Sequence, residues 1–94
     1  MKRRVVICAT TSRAIKTFGL EREELIQLLG ELHHGLPARY QAFRHRRAVD
    51  VRKFFFRISV QRKGGGQHVF VVVVDDTTSP EHPFVTNIGH SIIE

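Results

Sequence analysis

The sequence predicts an α+β domain in which a strand, two helices and then three strands follow one another. Three observations predict it. Leu25, Leu28, Leu29 and Leu32 recur at helical spacing in the first half of the chain. From Arg52 the hydrophobic period changes to two. The longest apolar run, Val69 to Val74, has the length of a buried strand. Together they predict a mostly antiparallel sheet with a two-helix layer on one face and the other face partly open. The 94 residues form a single domain, 1–94. No repeat, linker or low-complexity tract divides them.

Val5 to Cys8 reads as the first strand. Thr11 or Ser12 offers an N-cap for a short helix from Arg13 to Phe18, with Gly19 as its stop. A second helix is predicted from about Glu21 to His34. Glu21, Glu23 and Glu24 stand at its positive end, Gly35 is placed to cap it and Pro37 to block its continuation. Ala38 to Val51 is irregular in pattern and reads as a loop with one helical turn. From Arg52 to Gln61, Phe54, Phe56, Ile58 and Val60 point one way and Lys53, Phe55, Arg57, Ser59 and Gln61 the other. Arg62 to Gln67, with three glycines, makes a hairpin. Gln67 to Asp75 returns as a central strand, apolar on both faces. Turn residues fill Asp75 to Pro83, and Phe84 to Ile92 is the last strand.

Charge narrows the function classes. The formal net charge is +6, and the cations concentrate between Arg39 and Lys63, opposed there only by Asp50. A concentrated positive field attracts phosphates and releases their counterions. Arg44, Arg46, Arg47, Arg52, Arg62 and Lys63 are therefore candidate nucleic-acid contacts. Lys53, Phe55 and Arg57 form a row on one strand face, where cations hold phosphates and a ring stacks a base. The competing reading buries Phe55 under a loop and leaves the cations as plain solvated surface. No apolar stretch reaches the ~18 residues of a membrane span, and the short Val5–Ala9 run makes no signal peptide. The single Cys8 forms no internal disulfide, which fits a reducing, cytoplasmic compartment.

The six histidines have no metal-site spacing, so no metal or cofactor is expected. His90, on the last strand, is the candidate acid or base, since an imidazole exchanges protons near neutral pH. The other reading makes it a structural histidine. The triple glycine is not a phosphate loop, because it joins two strands and no Gly-Lys-Ser/Thr follows.

The element order, the basic open face and the late histidine carry a resemblance. So do Thr10-Thr-Ser-Arg-Ala14, Phe18-Gly-Leu20, the helix ending near Leu36, Tyr40 and Phe43. On these the chain resembles the RelE/ParE superfamily of bacterial toxins and, in layout, its MqsR-type members. The resemblance implies a small, metal-independent endoribonuclease that cleaves messenger RNA, often on the ribosome, and is covered by an acidic antitoxin protein. It implies that Lys53 and Arg57 match the basic residues of the second strand, His90 the C-terminal histidine, and Tyr40, a candidate nucleic-acid contact, a tyrosine after the helical hairpin of MqsR-like members. The chain departs from the family pattern at Val69–Val74, where many members place an arginine. The alternatives are a non-catalytic nucleic-acid-binding module and a protein-interaction module, each using the same basic sheet face.

Overall fold

A computed structural model of the protein describes residues 5–46, 53–77 and 82–94. The elements are β1 (Val6–Ile7), α1 (Ala9–Thr17), α2 (Arg22–Gly30), a π-helical turn (Glu31–Gly35), α3 (Leu36–Arg46), β2 (Lys53–Gln61), β3 (Gln67–Asp75) and β4 (Phe84–Ile93). The class is α+β, with helices packed on one face of a four-stranded sheet of order β1-β4-β3-β2. β2, β3 and β4 are antiparallel neighbours, but β1 runs parallel to β4, so the sheet is mixed.

The alternation of β2 sets the core. Phe54, Phe56, Ile58 and Val60 are buried, and every residue between them is exposed. The inner face continues across register partners Phe70, Val72 and Val74 of β3 and Val85 and Ile88 of β4. Onto it pack Ile15 of α1, Leu28 of α2, Leu32 of the π turn, and Leu36 and Tyr40 of α3. These apolar side chains leave water together, and that shared burial holds the two layers as one unit.

Two expectations about the helices are corrected. α1 begins at Ala9, earlier than Arg13, and neither Thr11 nor Ser12 caps it. Thr11 is buried, and its hydroxyl donates to the Val85 carbonyl at 2.9 Å, so a bond to β4 replaces the local cap. The second correction concerns Pro37 and the stretch after it. The helix does not end at Gly35. It passes through the π turn, where the Leu36 N–H donates to the Glu31 carbonyl five residues back, and runs on as α3. A proline inside an α-helix clashes with the carbonyl four residues earlier and lacks the ladder N–H. The wider π turn lies immediately before Pro37, where its altered hydrogen-bond spacing accommodates the proline within a continuous helix. Ala38 to Arg46, read from sequence as a loop, is therefore helical.

The β2–β3 hairpin forms as expected. Its tip holds Gly64, Gly65 and Gly66 at φ of +95°, +114° and +77°, and the Arg62 N–H donates to the Gly66 carbonyl at 3.0 Å. β4 carries a bulge between the partners of Val73 and Val74, which lets its two halves both keep their apolar side chains inward.

Candidate functional site

The open face of the sheet is built by strand parity. Register places Phe55, Val73 and Asn87 in one transverse row, Arg57, Val71 and Gly89 in the next, and Ser59, Val69 and Ser91 in a third. Phe55 is 70% exposed and Val71 46%, so these two apolar side chains face water, while Val69 of the third row is buried. Lys53 and Arg57 stand exposed on either side of Phe55. Lys53 pairs in register with Asp75. The Asp75 carboxyl is held below its usual range chiefly by the Thr77 hydroxyl and N–H, the latter 2.8 Å away, with Lys53 adding a smaller pull. At the outer edge of β2, Arg39 of α3 donates to the Arg57 carbonyl at 2.7 Å, and its guanidinium lies 5.4 Å from the Phe56 ring centre. Arg39 thus brings a second cation to the edge beside Arg57.

His90 lies elsewhere. Its register partner is Phe70, whose own partner is Ile58, so its side chain points into the helix-covered face. The sheet itself stands between His90 and the pair Lys53 and Arg57. The single catalytic site expected from these three residues does not assemble, because β2 and β4 present them with opposite parity.

On the covered face His90 belongs to a different cluster. Its Nε2 is 2.9 Å from Nδ1 of His68. The other ring nitrogen of His68, Nε2, is 3.0 Å from Glu24 Oε2, an ion-pair contact that lies off the line of an aligned N–H···O bond. Glu24 accepts the Lys63 N–H at 2.8 Å and the Glu21 N–H at 2.7 Å. Those two backbone donors, ahead of His68, hold the Glu24 carboxyl down to about 2 against the opposing effect of burial. His90 also stacks on Phe18 at 4.7 Å and on Phe70 at 5.0 Å between ring centres. Burial, and secondarily positive charge on His68, lower its pKa from the ordinary value. Sequence reasoning missed Glu24 and His68. Glu24 read as an acid at a helix start, although Glu21 and Glu24 have capping-box spacing. His68 shares parity with Phe70 and Val72, which already placed it inward.

The remaining predicted contacts are dispersed. Tyr40 is fully buried and donates its hydroxyl to Asp76 Oδ2 at 2.6 Å, so it is a core residue and not an RNA contact. Its position on the inward stripe of α3 explains the correction. Arg44 lies 3.4 Å from the same carboxylate oxygen and is largely buried, so its charge is spent on Asp76. Arg62 pairs with Glu94 at 3.0 Å, and Lys63 is exposed at the hairpin. Arg47 and Arg52 lie outside the described residues, as does the side chain of Arg46. Among the described residues no group of three or more His, Cys, Asp or Glu is placed to hold a metal ion, and no helix is long and apolar enough to cross a membrane. No family, curated protein or solved structure matches the chain, so the geometry of its own side chains carries the functional reading.

Proposed function

We propose that this chain is a single-stranded RNA-binding domain of the cytoplasm that holds its ligand across the open sheet face. One observation carries the reading: Phe55 stands 70% exposed between two exposed cations on a rigid strand. A ring left in water between cations is a stacking platform, because every base offers it a π face while Lys53 and Arg57 meet the phosphates. The rows behind it continue the platform with Val71 and Val73 and edge it with Ser59, Asn87 and Ser91. Messenger RNA, free or on the ribosome, is the ligand this surface suits.

Fluorescence anisotropy with a labelled single-stranded RNA tests the reading. Phe55→Ala is expected to weaken binding by about 1–3 kcal/mol, with the thermal midpoint little changed because the ring is 70% exposed. Lys53→Ala and Arg57→Ala are each expected to reduce the slope of log K against log salt by about 0.7. Wild-type affinity in Phe55→Ala removes the platform from the account.

A second reading, cleavage of RNA by a toxin paired with an acidic antitoxin, is favoured by the backing of His90 by His68 and Glu24. It requires the RNA to turn round the β4 edge, away from Arg57. Metal-free incubation that leaves RNA intact rejects this reading and leaves the binding one standing.

A further inference from the structure

The contact between His68 and His90 leaves room for one proton only. Nδ1 of His68 and Nε2 of His90 face each other at 2.9 Å, so one must donate and the other accept. When both rings are cationic, both facing nitrogens carry hydrogen. The bond is then lost and two like charges confront each other where His68 is buried and His90 part-buried.

The surrounding charges do not balance a second proton. From α2, Glu24 faces His68 at 3.0 Å and stays ionised throughout the neutral and mildly acidic range, with a pKa of about 2. Its two other bonds go to the backbone N–H groups of Lys63 and Glu21, so its negative charge is directed to His68 and not to His90. From the hairpin, Arg62 is paired with Glu94, and Lys63 is exposed. From the corner after α1, the ring of Phe18 stacks on His90, and the last turn of that helix carries another cation, Lys16. From β3 it meets Phe70. One carboxylate therefore offsets one imidazolium.

We propose that His68 and His90 form an acid-released clamp: the pair holds the α1–α2 corner to β4 until a second proton drives His90 out of its contacts with Phe18 and Phe70, which also touch each other at 5.9 Å. The ring of His90 touches both phenylalanines, so its departure uncovers them and loosens residues 18–20. The β2–β3 hairpin stays closed, because Glu24 still binds His68 and Lys63. The open sheet face is unaffected, so RNA binding and the clamp fail or stand separately.

Amide hydrogen exchange on the full chain at about pH 7.5 and pH 5.0, corrected for intrinsic rates, reads the release. Exchange at residues 18–20 and 90–92 is expected to rise roughly tenfold or more on acidification, the equivalent of one unit of pKa, while residues 56–60 keep their protection. His90→Phe preserves the ring stack and takes no proton, so its exchange is expected to be the same at both values. Equal protection of the wild type at both pH values overturns the proposal, as does a His90→Phe variant that loosens like the wild type. Imidazole nitrogen spectra of the unaltered chain decide independently of that variant's folding. Protonation of His90 is expected to proceed in step with movement of the Phe18 ring signals, and titration of His90 with Phe18 unmoved overturns the clamp.

Discussion

Tyr40 and Asp76 show how a single hydroxyl can decide a local arrangement. Asp76 is fully buried just beyond the end of β3, and Tyr40 donates to it at 2.6 Å. A buried carboxylate that loses a donor bears the desolvation cost of the vacated lone pair. Tyr40→Phe keeps the ring and its edge-on contact with Phe54 at 5.2 Å. It is expected to lower unfolding stability by about 1–3 kcal/mol, measured by urea denaturation. A midpoint equal to wild type would mean that Asp76 draws its stabilisation from other partners. In sequence, Asp75-Asp76 read as a pair of turn residues. Parity separates them: Val74 points inward, Asp75 outward beside Lys53, and Asp76 inward again. That much was legible. The donor on α3 was not, because it lies 36 residues away and only packing brings it there.

At the scale of elements, strand periodicity was the most informative signal in the chain. β2 has the predicted inward and outward faces, including the exposure of Phe55, because a two-residue period leaves a strand no other way to bury its apolar side. The helices were harder to read. Leu36, Tyr40 and Phe43 follow the i, i+4, i+7 spacing of an amphipathic helix, yet Pro37 masks it unless a π turn absorbs the proline. The hairpin allows a test of its own. At Gly66, with φ of +77°, an added Cβ would lie 2.5 Å from the backbone oxygen of Ile93, whereas at Gly64 it would meet nothing within 4 Å. Both positions carry the strain of a left-handed conformation, of order 1–3 kcal/mol for a non-glycine residue. Only Gly66 adds a backbone collision. Gly66→Ala is therefore expected to be clearly more destabilising than Gly64→Ala in chemical denaturation, and equal losses would show that the C-terminal end of β4 moves aside freely.

For the whole molecule, the depressed pKa values fix the direction in which stability changes with pH. His90 binds its proton less readily folded than unfolded, so above its ordinary value of 6.5 it exacts no penalty. As pH falls below 6.5 the unfolded chain takes the proton first, and stability declines until the folded value is passed. Glu24 acts lower down. Its carboxyl falls from 4.5 to about 2 on folding, so its contribution is present above 4.5 and is lost as pH drops from 4.5 toward 2. Asp75, lowered from 3.8, adds a decline beginning near that value. The urea midpoint is thus expected to fall in two stages, one below pH 6.5 and one below 4.5. Glu24→Gln should shrink the second stage and leave part of it to Asp75. A midpoint that stays level from pH 5 to 3 contradicts the assignment. The sequence by itself determined the class of fold, the faces of β2, the hairpin and the basic character of the domain, because these follow from local periodicity, turn chemistry and composition. Only the tertiary structure decided that β1 lies parallel to β4, that Tyr40 and Arg44 are committed to Asp76, and that His90 sits with His68 and Glu24, across the sheet from Arg57. Those outcomes depend on which strands become neighbours and in what register, and that is set by burial of the whole core at once.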